Sequence, residues 1–256
     1  MKGLILSFIS WAFSILQVPP IWKQLDKGLS RIYYDHLVTM ELKIGAKKTF
    51  LNLSPDKQRR IIEVAIDEFS QKGYQQASIN KIVSRLGIAK GSIYQYFNNK
   101  RELFLYIFNY AVKMVGKTLK QVKKESENQP VFERLRQSLL AGITFTKNHP
   151  NIYQTYLKIL FESDVPFKNE LIQSIRFFSL KYLMPLLKTG MERGEIRKDL
   201  DINMMAFMLD AMMDRFLQAY HLPFIDSHLG IFQCSQEEVE RLVNVWVDTL
   251  KRGLSA

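Results

Sequence analysis

Residues 79–100 read INKIVSRLGIAKGSIYQYFNNK, and their pattern predicts two short helices joined by a glycine turn. The apolar residues of the first half recur at the spacing of one helical face: Ile79, Ile82, Val83 and Leu86. Gly87 follows at once, and glycine readily adopts the left-handed backbone that ends a helix abruptly. The stretch therefore predicts a helix-turn-helix hairpin.

The second helix of this hairpin is expected to turn its polar side chains outward. Ile93 and Phe97 lie four residues apart and so are predicted to face a core. The rest of the surface then carries hydrogen-bond donors and one cation: Lys90, Ser92, Tyr94, Gln95 and Tyr96. A DNA groove offers acceptors to such a surface.

The residues before the hairpin predict a third helix. In RRIIEVAIDEFSQKGY, residues 59–74, apolar residues share one face, and Gly73 is expected to close the helix. Ser78 is placed as the N-cap of the next helix, with its hydroxyl accepting from an amide one turn inside. Three short helices around one small core are the result.

These residues resemble the TetR (TetR/AcrR-type) family of bacterial transcriptional regulators, through AIDEFSQKGY, the Ser78 cap and LGIAKGSIYQYFNNKRELF. The likeness covers residues 57–104, and the alternative is a hairpin inside an ordinary helical bundle. The resemblance implies an all-α protein. A three-helix DNA-binding head would span residues 40–101, and a larger helical effector-binding and dimerisation domain would span residues 102–256.

The resemblance also implies which residues contact DNA. Lys90 would reach guanine O6 and N7, and Gly91 would let the helix approach closely. Phosphate oxygens would be bound by the hydroxyl groups of the hairpin and by Lys100, at the start of the next helix. The implied contacts are Ser78, Asn80, Lys90, Gly91, Ser92, Tyr94, Gln95, Tyr96 and Lys100. The alternative for Lys90 and the tyrosines is an ordinary solvated surface.

Charge and composition agree with a DNA-binding regulator. Residues 41–110 hold 12 Lys and Arg against 6 Asp and Glu, so +6 of the total +11 lies in this stretch. DNA affinity should therefore fall steeply with salt. One cysteine excludes an internal disulfide and fits the cytoplasm. The four histidines show no metal-ligand spacing, and neither a phosphate loop nor a partnered nucleophile is found, so neither a metal, a cofactor nor an enzyme is expected.

The first 39 residues form a hydrophobic extension that the family pattern does not explain. Residues 4–18, LILSFISWAFSILQV, are apolar, yet 15 residues are too few to cross a bilayer as a helix. We expect Met40 to be the natural start. The alternatives are a membrane or interfacial anchor and a helix packed on the body. With an anchor, the second candidate function is an all-helical lipid- or membrane-associated binding protein.

The pattern downstream of residue 101 is helical throughout. Proline and glycine punctuate the predicted helices, which begin at Glu102 and then cover residues 132–147, 151–162, 167–192, 202–221 and 236–252. Pro185 lies inside one of them and is expected to kink it.

The last two helices carry broad apolar stripes that predict a dimer surface. The stripe residues are Met205, Leu209, Met212, Phe216, Val239, Leu242, Val243, Trp246 and Leu250. The alternative is the core of a monomer. As a homodimer, the protein would address half-sites about 34 Å apart in a palindromic operator.

The middle helices are expected to enclose an effector pocket for a lipophilic or aromatic small molecule. The predicted wall is Phe145, Tyr153, Tyr156, Phe161, Phe177, Phe178 and Met184. Each of these is also a candidate for plain core. Arg176, Lys181 and Arg215 are candidates to pair an acidic group. The resemblance thus implies a ligand-responsive repressor.

Overall fold

The computed structural model describes residues 46–254, and this part of the chain is built from helices without any strand. The all-α prediction is confirmed. The head contains α1 (Lys48–Leu51), α2 (Pro55–Gln76), α3 (Ile79–Leu86) and α4 (Lys90–Tyr96). The remaining helices are α5 (Lys100–Glu125), α6 (Val131–Asn148), α7 (Pro150–Phe161), α8 (Lys168–Glu192), α9 (Ile202–His221) and α10 (Gln236–Leu254).

The extension of residues 1–39 and the expected start at Met40 lie outside the described residues. Within the described part, none of the helices combines the length and the apolar character that crossing a membrane requires.

The head packs around a cluster of phenylalanine rings. Phe69 of α2 lies 5.1 Å from Phe104 of α5 between ring centroids, and Phe50 of α1 lies 5.0 Å from Phe97. All four side chains are buried. Because Phe104 belongs to the second turn of α5, this long helix supplies part of the head core and then continues without interruption into the body.

The start of α3 differs from the sequence-based expectation. Ser78 occupies the N-cap position, but its hydroxyl makes no capping hydrogen bond. The backbone amide of Ser78 instead donates to Oε1 of Glu68, at 3.0 Å. Glu68 is only 3% exposed, and a carboxylate favours a helix N-terminus. The predicted hydroxyl cap was therefore wrong, since Ser78 occupies the N-cap position but is held there through its own amide.

The start of α4 lacks a cap. Ala89 occupies the N-cap position with an extended backbone and has no side-chain oxygen, whereas relatives in the resembled family usually have Ser or Thr there. We expect Ala89→Ser to raise the stability of the protein by about 1 kcal/mol, because the hydroxyl would accept an unpaired amide. Thermal unfolding of Ala89→Ser and of the control Ala89→Val checks this. A serine variant that melts no higher than the wild type would mean that α4 does not begin at Lys90.

The body core lies between α6, α8, α9 and α10, and it absorbs most of the stripes predicted as dimer surface. Six of those residues are buried in the chain's own core: Met205, Leu209, Phe216, Val239, Val243 and Leu250. Another three are half-buried against it: Met212, Leu242 and Trp246. The assignment of the buried six to a dimer contact was wrong. An apolar stripe shows that a helix face is covered, but it does not show whether the cover belongs to the same chain.

Candidate nucleic-acid interface and effector cavity

The α3–α4 hairpin presents the surface that the sequence predicted. Gly87 ends α3 in the left-handed conformation, with φ 68° and ψ 32°. Ile93 and Phe97 are buried beneath α4. Lys90, Gly91, Tyr94 and Gln95 are exposed along one side, as is Asn80 of α3. These donors are therefore available for contacts with a duplex.

The other predicted contact residues are less open. Ser78 and Ser92 are half-buried. Tyr96 is also half-buried, since its ring packs edge-on against Phe50 with centroids 5.9 Å apart. Tyr94, at 40% exposure, is the freer of the two tyrosines on α4. Tyr96 thus helps to fix α4 to the head.

Residues 47–49, at the start of α1, bind the C-terminal end of α4. The sequence analysis did not predict this contact. The backbone amide of Lys47 donates to the carbonyl oxygen of Tyr96 at 3.0 Å, and its Nζ donates to that of Tyr94 at 2.8 Å. The hydroxyl of Thr49 donates to the carbonyl of Gln95. A seven-residue helix leaves such carbonyls unpaired, so α1 completes the end of α4. The nearest signal in the sequence is Phe50, whose ring anchors α1 in the head core.

The ammonium group of Lys100 is engaged within the head. Its Nζ donates to the carbonyl oxygens of Tyr74, Gln75 and Ala77 at 2.9, 3.1 and 3.2 Å. It also lies 4.6 Å from the centroid of the Tyr74 ring. Burial lowers the pKa of this lysine. Lys100 therefore stabilises the C-terminal end of α2, and a phosphate contact by this residue remains a prediction.

A cavity of about 240 Å³ lies between helices α5 to α9. Four of the seven predicted wall residues line it: Phe145, Tyr153, Tyr156 and Phe178. The other three are not among its lining residues. Phe161, at the end of α7, is 63% exposed, Met184 packs against the body core, and Phe177 precedes Phe178 on a helix that turns adjacent residues to different sides.

Helix α5 supplies a wall that the sequence reading missed. Its lining residues are Ile107, Phe108, Ala111, Val112, Val115 and Leu119. In the sequence these residues form an ordinary amphipathic stripe, which is equally typical of a filled core. Only the packing of α5 against the neighbouring helices distinguishes a cavity wall from a core face.

A polar network forms one end of the cavity. Arg176 of α8 donates to Asp210 Oδ2 at 3.1 Å and to Asp214 Oδ2 at 2.7 Å, both on α9. It also donates to the hydroxyl of Tyr156, which in turn donates to Asp214 Oδ1 at 2.8 Å. Arg176 thus pairs with carboxylates of the chain itself. Two carboxylates with one guanidinium give this end a formal charge of −1.

The two phenols of α7 remain protonated in this environment. Burial, followed by the nearby Asp214 carboxylate, raises the pKa of Tyr153 and of Tyr156 well above the usual value. The hydroxyl of Tyr153 is buried and has no hydrogen-bond partner among the described residues. It is therefore an unpaired polar atom in the wall of the cavity.

Comparison with known proteins bears on both parts of the chain. The family model described as "Bacterial regulatory proteins, tetR family" matches residues 61–107, and "Tetracyclin repressor-like, C-terminal domain" matches residues 129–255. A solved TetR family transcriptional regulator from Chloroflexus aurantiacus J-10-FL is 30% identical, with a TM-score of 0.61. That likeness covers 83% of this chain and 99% of the other. The chain belongs to the TetR family.

Two further relatives of this TetR-family regulator have names that state a function or a ligand. The probable acrEF/envCD operon repressor of Escherichia coli (strain K12) is 25% identical, over 68% of this chain and 79% of its own. The transcriptional regulator FadR from Bacillus subtilis, solved in complex with stearoyl-CoA, has a TM-score of 0.60 at 20% identity. That likeness covers 76% of this chain and 98% of FadR, and it shows the fold.

In this TetR-family regulator, α7 contacts both the cavity and the head. Tyr153 and Tyr156 line the cavity. On the head side, Asn151 Nδ2 donates to Asp67 Oδ1 at 3.0 Å. Just beyond α7, the backbone carbonyl of Asp164 accepts from Gln75 Nε2 at 2.8 Å. A displacement of α7 would therefore be transmitted to α2.

Proposed function

We propose that this chain is a homodimeric repressor that binds a palindromic operator and leaves it when a lipophilic or aromatic molecule binds in the cavity. The observation that carries this proposal is the hairpin, which turns Ile93 and Phe97 inward and Lys90, Tyr94 and Gln95 outward. Such a helix can lie in a major groove, where lysine and glutamine read base edges. The relation to the E. coli operon repressor supports a role in repression.

The dimer contact would use the exposed faces of α9 and α10. Met204, Phe207 and Met208 of α9 and Val245 of α10 are each at least half exposed. These side chains form an apolar surface that a twofold mate would cover. The dimer surface proposed here therefore lies beside the stripe that the sequence analysis selected, on the face turned away from the core.

The effector would act through differential binding to two states. A hundredfold loss of operator affinity requires about 2.7 kcal/mol of preference for the state that does not bind DNA. Helix α7 is suited to carry this preference because it forms part of the cavity wall and contacts α2. The apolar cavity favours a lipophilic effector, and the FadR complex with stearoyl-CoA offers a precedent within the same fold.

Operator binding tests the proposal. We expect Lys90→Ala to weaken binding to a selected inverted repeat by about 1 to 3 kcal/mol and to relax preference at the base pair that Lys90 contacts. The control is Lys113→Ala, an exposed lysine of α5 in the body. Operator selection measures the base preference, and fluorescence anisotropy measures the affinity of each variant. Equal operator affinities for Lys90→Ala and the wild type would refute the base contact by Lys90. A wild type that binds no inverted repeat at low salt would refute the repressor proposal.

A further inference from the structure

A second concave site lies on the body, next to the cavity. It has a volume of about 290 Å³ and is lined from α5, α6 and α8 and by residues that follow α5 and α8. Four cationic side chains contribute to it, namely Lys123, Arg134, Lys181 and Arg193, whereas Glu127 is its one acid. The formal charge of the lining is therefore +3, opposite in sign to that of the Arg176 end of the cavity.

Arg134 is the unusual member of this basic pocket. The residue is only 7% exposed, and its Nε is buried with no hydrogen-bond partner among the described residues. No described carboxylate forms an ion pair with Arg134, whereas Arg176 pairs with the carboxylates of Asp210 and Asp214. Burying a guanidinium without a counter-charge is costly. An anion held in the basic pocket would supply the counter-charge that Arg134 lacks among the described residues.

The basic pocket and the apolar cavity share a side chain. Tyr182 of α8 lines both, and its hydroxyl is hydrogen-bonded to Ser138 Oγ at 2.7 Å. Arg176 lies six residues earlier on α8, about 9 Å along the helix axis. The acidic network around Arg176 and the basic pocket beside Tyr182 therefore lie at different levels of α8. This polarity would orient an amphipathic anion in one direction only.

We propose that the basic pocket around Arg134 binds a phosphate group of an amphipathic effector whose apolar chain lies in the cavity. Phosphate suits the pocket because it carries several acceptor oxygens that guanidinium and ammonium groups can share. The second half of this inference rests on the proposed function, which places an effector in the cavity. The anion site itself rests on Arg134 and its cationic neighbours alone.

Calorimetric titration of the purified full chain with octyl phosphate, octanol and inorganic phosphate tests this. We expect the wild type to bind octyl phosphate about tenfold to a hundredfold more tightly than octanol, the range typical of hydrogen bonds to charged groups. Arg134→Met should weaken octyl phosphate binding by about tenfold, since Lys123, Lys181 and Arg193 remain in the pocket, and should leave octanol binding unchanged. Its melting temperature should equal or exceed that of the wild type, since an uncompensated buried charge is removed. Lys188→Gln, an exposed lysine of α8 outside the pocket, should behave as the wild type.

The outcomes separate the parts of the proposal. Equal wild-type affinities for octyl phosphate and octanol would overturn it, as would an Arg134→Met variant that binds octyl phosphate normally. If inorganic phosphate binds as tightly as octyl phosphate, the anion site stands and its link to the cavity falls. Operator binding measured on the same samples distinguishes failure of the anion site from failure of the repressor proposal. A chain that binds its operator but not octyl phosphate leaves the repressor proposal intact.

Discussion

Replacing Gly73 with alanine should destabilise the protein by about 2 to 3 kcal/mol. Gly73 has φ 67° and ψ 178° inside α2, a region of backbone space that is almost restricted to glycine. A Cβ at this position would also lie 2.2 Å from Oε2 of Glu162, just after α7. Because the carboxylate is the end of a flexible side chain, it can move aside, and most of the expected loss comes from the backbone. Urea unfolding followed by circular dichroism measures it.

Two comparisons isolate the cause. Gly87→Ala places alanine at a left-handed position where a Cβ would meet no atom within 4 Å, so its expected loss is smaller, about 1 to 2 kcal/mol. Gly73→Ala combined with Glu162→Ala removes the clash and should recover only part of the stability. If Gly73→Ala unfolds at the same urea concentration as the wild type, the break in α2 at Gly73 is not required by the fold.

Removing the guanidinium of Arg176 should cost a similar amount. Arg176→Met would leave the carboxylates of Asp210 and Asp214, which are largely buried, without their cation. Breaking a buried ion pair on one side typically costs about 3 to 5 kcal/mol. Since the Arg176 side chain is 28% exposed, we expect about 2 to 3 kcal/mol here. The measurement is the free energy of unfolding at neutral pH.

The matched controls test whether charge imbalance is the cause. Arg215→Met removes an exposed arginine from α9 and should have little effect. Adding Asp210→Asn and Asp214→Asn to Arg176→Met removes the uncompensated carboxylates and should restore much of the stability. A triple variant no more stable than Arg176→Met alone would argue that packing of the arginine stem, rather than its charge, holds α8 and α9 together.

The sequence was sufficient to place the helices of the body because proline and glycine mark their ends. The helix predicted over residues 202–221 is observed as Ile202–His221, and the one predicted over residues 132–147 is observed as Val131–Asn148. The burial of Ile93 and Phe97 was also predicted correctly. Of the residues predicted to face outward, Lys90, Tyr94 and Gln95 are exposed, whereas Ser92 and Tyr96 are half-buried.

The sequence could not place contacts that depend on how distant helices approach each other. The hydrogen bonds from Lys47 and Thr49 to the end of α4 join residues 46 or more positions apart, and no local pattern encodes them. The same holds for the α5 wall of the cavity and for Arg134, which resembles any helical arginine until its burial is known. Apolar periodicity identified the covered faces of α9 and α10, but the packing decided which chain covers them.

The continuity of α5 bears on attempts to redesign specificity by exchanging modules. A foreign DNA-binding head spliced on at residue 101 would replace Phe69 but keep Phe104, so the aromatic cluster that these two rings form would be broken. It would also have to reproduce the surface around Asp67 and Gln75 that α7 and Asp164 contact. A transplant that respects these constraints must carry the first two turns of α5 and match the donor's α2 to the recipient's α7. Without that match, the hybrid would lose the proposed coupling between inducer and promoter.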